Sequence, residues 1–78
     1  MNLSLISQEH NTDYDTYDSA IVCAESEEDA KVLRPDGYDQ DDTDYDCWAP
    51  PEYITVKYLG IADSTIEPGL VLASFNAG

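Results

Sequence analysis

The sequence predicts a small α+β fold, a mostly antiparallel sheet with one short helix on one face, in the order β-β-α-β-β. Three observations predict it: four apolar or alternating runs of strand length, one serine-led capping pattern closed by a proline, and a length of 78 residues. That length makes 1–78 a single domain, whose core supplies only roughly 3–5 kcal/mol of net stability.

Residues 2–7, Asn-Leu-Ser-Leu-Ile-Ser, approximate period-2 alternation and predict the first strand. From Gln8 to Ser19 the chain turns acidic and tyrosine-bearing, which suits a long hairpin connection into the apolar run Ala20–Ala24, the second strand. Ser26-Glu27-Glu28-Asp29 then matches the pattern in which a serine oxygen accepts from an orphan N–H at a helix start. Acids in the first turn and Lys31 and Arg34 in the last suit the helix dipole, and Pro35 ends the helix at Arg34. A right-handed crossover would make the strands that flank this helix parallel.

After an acidic run, Trp48-Ala49-Pro50-Pro51 stiffens the chain in an extended form and introduces Tyr53–Ile61. This run is rich in β-branched and aromatic residues, with Ile54, Val56 and Tyr58 on one face and Tyr53, Thr55, Lys57 and Leu59 on the other. Pro68-Gly69 leads into Leu70–Phe75, the last strand.

Charge decides the class of partner. Seventeen acids against three bases give a formal net charge of −14, and fourteen of those acids lie between Glu9 and Asp46. Such a chain repels nucleic acid and anionic membrane as direct ligands and attracts basic proteins and cations. Yet 42% hydrophobic content is too apolar for a disordered acidic tail. Cys23 and Cys47 form no disulfide framework and no metal spacing, so they read as reduced thiols. No stretch has the character of a signal peptide or a membrane span, which predicts a soluble cytoplasmic protein.

The densest acidic stretch is Asp36–Asp46, where six of eleven residues are carboxylates and no base is present. Where it is extended, alternate residues share a face about 6.6–6.8 Å apart, so Asp42, Asp44 and Asp46 form a row of anions with Thr43, Tyr45 and Cys47 behind. A Tyr/Asp theme recurs at Asp13-Tyr14-Asp15, Tyr17-Asp18, Tyr38-Asp39 and Asp44-Tyr45-Asp46. Tyrosine supplies rigid amphipathic contact area and aspartate reaches Arg and Lys. The alternative is two solvated loops whose rings lean on the domain.

Other chemistry finds little support. From Asp39 an EF-hand would place Thr43, Asp44 and Pro50 at its third-ligand, glycine and twelfth positions, so no dedicated calcium site or other cofactor is expected. His10 is the only histidine, no phosphate-binding glycine loop occurs, and the carboxylates are too numerous to single out an acid/base pair. The acidic setting of Cys47 does not favour a nucleophilic thiolate, and no enzyme activity is expected.

The stretches Ala24-Glu25-Ser26-Glu27-Glu28-Asp29-Ala30, Trp48-Ala49-Pro50-Pro51, Tyr58-Leu59-Gly60-Ile61-Ala62 and Ala73-Ser74-Phe75-Asn76-Ala77-Gly78 together resemble a class of small bacteriophage-encoded proteins. Some acidic members of that size class are anti-CRISPR or other anti-defence inhibitors that imitate DNA. The resemblance implies a cytoplasmic protein of an infected bacterium, a monomer or homodimer. It would occupy the DNA-binding groove of a basic host protein such as a CRISPR effector complex. No shared motif carries residues over one by one. On charge alone the expected contacts are Asp39, Asp41, Asp42, Asp44 and Asp46, with Asp13, Asp15 and Asp18 as a second patch and Tyr38 and Tyr45 between the charges. The competing class is a phage structural or assembly protein, or a regulatory interaction module, whose acidity is incidental and whose exposed sheet edge pairs with itself or a partner.

Overall fold

A computed structural model describes residues 1–12, 14–39 and 41–76. The chain forms a four-stranded antiparallel sheet and one short helix: β1 (Asn2–Ser7), β2 (Thr16–Ala24), α1 (Glu27–Lys31), β3 (Thr55–Ile61) and β4 (Gly69–Asn76), with a 3-10 turn at Pro51–Tyr53 before β3. The sheet order is β3-β1-β2-β4. This is the α+β architecture that the element pattern predicts.

The strands flanking α1 do run in the same direction, since β1 lies between them and is antiparallel to both. They are not hydrogen-bonded neighbours, however. β1 fills the central place because its two sides pair with β2 through a hairpin and with β3 through the return connection.

Register assigns the faces. Val56, Ile6, Ala20 and Ala73 form one rung across all four strands, on the face that carries the core. The next rung, Lys57, Leu5, Ile21 and Leu72, lies on the opposite face, because side chains alternate along a strand. The core cluster joins Ile6, Ala20, Val22 and Ala24 to Ala30 of α1 and to Trp48, Ala49 and Ile54. Most of these are small, so Trp48, 1% exposed, is the largest fully buried side chain. Burying an indole of about 150–250 Å² contributes roughly 4–6 kcal/mol of transfer free energy. The acidic run is thus followed at once by the core's main anchor.

Three elements differ from expectation. The helix ends at Lys31 and not at Arg34. Its start is as expected, with the Asp29 N–H donating to Ser26 Oγ at 3.1 Å. Pro35 drives the residue before it out of the α region, and Arg34, beyond the helix end, takes a tertiary role. β2 begins at Thr16, not Ala20, because the Tyr17 N–H donates to the Cys47 carbonyl at 2.8 Å and Tyr17 packs on Phe75 of β4. The third strand begins at Thr55, not Tyr53. Pro51 opens a helical turn in which the Tyr53 and Ile54 N–H groups donate to the Pro50 and Pro51 carbonyls. Proline lacks the N–H a ladder needs but suits the first position of such a turn.

Candidate functional site

The acidic run is not strand, and it is organised by a base from just outside it. Pro35-Asp36-Gly37 makes a turn, with Gly37 at φ +85° in the left-handed region, that carries Asp36 back onto Arg34. Arg34 Nε donates to Asp36 Oδ1 at 3.1 Å and Nη2 to Oδ2 at 2.7 Å, a bidentate pair whose side chains are 3% and 2% exposed. Nη1 donates to the Asp42 carbonyl at 2.9 Å, and Nη2 also donates to the Asp44 carbonyl. The guanidinium carbon lies 4.4 Å from the Tyr45 ring centroid and 5.1 Å from that of Tyr38, within cation–π range of both.

Burial by itself would lower the Arg34 pKa. The hydrogen bond and charge of Asp36, with Tyr45 and Asp42, outweigh that effect and raise it above its ordinary value. One cation therefore gathers both ends of the loop. It spends the carboxylate of Asp36 but only the backbone carbonyls of Asp42 and Asp44, so those two side chains remain outside.

Within the run two carboxylates shape the chain ahead of them. Asp42 Oδ1 accepts from the Asp44 N–H at 2.9 Å and Asp44 Oδ1 from the Asp46 N–H at 3.2 Å. These side-chain turns replace the extended ladder that the alternation suggested. Asp39, Asp41, Asp42, Asp44 and Asp46 are all exposed. Tyr38 is half-exposed, whereas Tyr45 is partly buried against the core. The negative charge of Asp44 chiefly, then reduced hydration and the charges of Cys47, Asp42 and Asp36, raise the Tyr38 pKa above its ordinary value.

The second acidic segment meets the first through two side-chain amides, which no sequence pattern marks. Asn11 Nδ2 donates to the carbonyls of Tyr45, Asp46 and Trp48 at 3.0, 2.8 and 3.3 Å. Gln8, buried, holds Asn11 in turn: its Nε2 donates to the carbonyls of Asn11 and Tyr17 at 2.7 and 2.8 Å, and its Oε1 accepts from the Asn11 N–H at 2.7 Å. Asp15, exposed at φ +61°, forms the turn of this segment, and Asp18 is exposed at a bulge of β2. Asp13 lies outside the described residues. The two acid-bearing segments are thus stitched together at 8–17 and 45–48. Nothing in the identity of a lone Asn signals such a role, since it depends on carbonyls more than thirty residues away.

A separate shallow cleft is lined by Ser7, Gln8, His10, Asp18, Tyr53 and Thr55. His10 stacks on Tyr53 there, with centroids 3.8 Å apart. Cys23 and Cys47 are free thiols. Among the described residues no group of three or more His, Cys, Asp or Glu converges to hold a metal ion, and no helix is long and apolar enough to cross a membrane. Comparison with protein-family models, with curated proteins and with solved structures finds no match.

Proposed function

We propose that this protein inhibits a basic, DNA-handling host protein by seating its acidic loop in the groove that normally takes DNA. On this reading it acts by occlusion and does no chemistry, in the cytoplasm of an infected bacterium, and the target class is a CRISPR interference complex. The observation that carries it is the loop at Arg34. Five exposed aspartates, Asp39, Asp41, Asp42, Asp44 and Asp46, stand on a backbone fastened from inside through Asp36 and two carbonyls. B-DNA presents one charge per about 3.4 Å of axis per strand, and five aspartates between Asp39 and Asp46 offer the lysines and arginines that hold it a dense set of fixed anions. A pre-shaped loop also loses less entropy on binding than a free acidic tail. Tyr38 adds contact area, Tyr45 props Arg34 from behind, and Asp15 and Asp18 extend the charge onto the adjoining segment.

The test is competition on a purified CRISPR interference complex. Labelled target DNA and this protein are titrated against each other, for the wild type and for a variant with Asp39, Asp41, Asp42, Asp44 and Asp46 all changed to Asn. Asparagine keeps the local side-chain turns and leaves Arg34 and Asp36 untouched, so the variant should fold. The expected result is mutual exclusion with DNA, weakening as salt rises, and loss of binding in the variant. Simultaneous binding of DNA and protein, or undiminished binding by the variant, removes the mimicry reading.

A further inference from the structure

We propose that the cleft beside His10 and Tyr53 binds the guanidinium of an arginine side chain presented by a partner polypeptide. This contact is additional to the acidic loop and does not depend on the occlusion reading. The chain itself shows what it uses to hold such a group. Arg34 meets one carboxylate in bidentate contact and two tyrosine rings, its guanidinium carbon 4.4 and 5.1 Å from their centroids. The cleft brings together the same kinds of group, Glu9 and Asp18 with the stacked rings of His10 and Tyr53, and no Lys or Arg of this chain lines it.

The fold sets these groups in place. Thr55, Ser7 and Ser19 share a rung of β3, β1 and β2 on the face away from the core, and all three line the cleft. Glu9 and His10 lie between Gln8 and Asn11, which the Gln8 side chain joins through two hydrogen bonds of 2.7 Å. The Gln8 N–H donates to the Asp18 carbonyl at 3.1 Å, and the Tyr53 N–H to the Pro50 carbonyl at 2.9 Å. Groups placed before a ligand arrives reduce the entropy lost when it binds.

Charge and hydrogen-bonding capacity select the occupant. Neither Glu9 nor Asp18 has a cationic partner among the described residues, and the Asp18 side chain receives one long bond, from the Ser19 hydroxyl at 3.4 Å. Such a cleft repels anions and is rich in acceptors. Tyr53 is 47% exposed and His10 is exposed, so the stack presents aromatic surface. A guanidinium is planar, stacks on that surface and meets a carboxylate through two parallel N–H bonds, with further donors for nearby hydroxyls. An ammonium is a strongly hydrated point charge and gains less from the rings. At about 760 Å³ the cleft is of ligand-site size and exceeds what one guanidinium fills, which leaves room for its stem and the backbone that carries it.

Chemical-shift titration of the full chain at fixed ionic strength tests this, with N-acetyl-arginine amide, its lysine and citrulline counterparts, and acetyl-Gly-Arg-Gly amide as probes. The arginine amide should give saturating shifts at His10, Tyr53 and Thr55. The lysine amide should bind more weakly, the neutral citrulline amide not at all, and the tripeptide more tightly than the single residue. Tyr53→Leu should weaken arginine binding about two- to fivefold, as loss of an exposed cation–π contact implies. Glu9→Gln and Asp18→Asn should each weaken it by up to about fivefold, with every fold checked by its melting curve. Shifts that do not saturate, that are equal with lysine, or that fall on residues 39–46 in place of the cleft overturn the proposal. So does binding undiminished in the folded variants, and a tripeptide bound no more tightly than the single amide overturns the polypeptide as its source.

Discussion

Arg34 and Asp36, two residues apart, form a bidentate ion pair with both side chains nearly closed to solvent. A chain with seventeen acids and three bases thus places one of its bases where it neutralises a single carboxylate and leaves the others outward. The pair matters through what surrounds it: two tyrosine faces and two carbonyls meet the same guanidinium.

Removing that cation should cost more than removing any exposed acid. Arg34→Ala strands the buried Asp36 carboxylate and two loop carbonyls, and breaking one partner of a buried pair costs about 3–5 kcal/mol. Arg34→Lys keeps the charge but loses the planar fork and most of the stacking, so its effect should be intermediate. Asp42→Asn and Asp44→Asn should each change stability by less than about 0.5 kcal/mol, because Arg34 reaches those residues through their backbone. Urea unfolding of the four variants checks the order.

Asn11 should behave as a structural residue despite its place in a polar connection. Asn11→Ala leaves three carbonyls without their donor, a loss of about 1–3 kcal/mol, and should loosen Trp48, seen as a red shift of its fluorescence. Asn11→Asp should be worse at neutral pH, since a carboxylate then faces carbonyl oxygens. It should recover partly in acid, where the protonated form regains one donor. An aspartate variant as stable as the wild type at neutral pH would contradict the assigned hydrogen bonds.

These two residues mark where the sequence was legible and where it was not. Period-2 runs revealed the strands and the Ser26 cap revealed the helix start, because both depend on neighbours within a few positions. Pro35 is legible as a stop, but the further retreat of the helix end to Lys31 is not written in the neighbouring residues. The Asp36–Asp46 run was legible as exposed charge. Its fastening was not, because the cation lies outside the run and acts on carbonyls that every residue has. The early start of β2 at Thr16 likewise came from Cys47 and Phe75, distant in sequence.

Tyr38 gives a local report on the loop. Its pKa is raised, first by Asp44, so its share of stability is fully present below the unfolded tyrosine value and is lost as pH rises through the folded one. In the folded protein the Tyr38 ring should titrate above the ordinary tyrosine range, followed by the chemical shift of its ring carbons. Asp44→Asn should bring it down. A Tyr38 that titrates identically in both proteins would place the Asp44 side chain away from the ring.

The last prediction concerns salt. Fourteen uncompensated negative charges repel one another in the folded chain more than in the expanded one, so the net electrostatic term opposes folding. Moderate salt shortens the Debye length to about 8–10 Å, which screens the exposed aspartates from one another far more than it weakens the buried Arg34–Asp36 pair. Melting temperature should therefore rise with sodium chloride. The variant with five loop aspartates changed to Asn should start higher and respond less. A melting temperature that falls with salt would mean that attractive surface pairs, and not self-repulsion, dominate the charge balance. A response unchanged in the five-residue variant would locate the repulsion outside the loop.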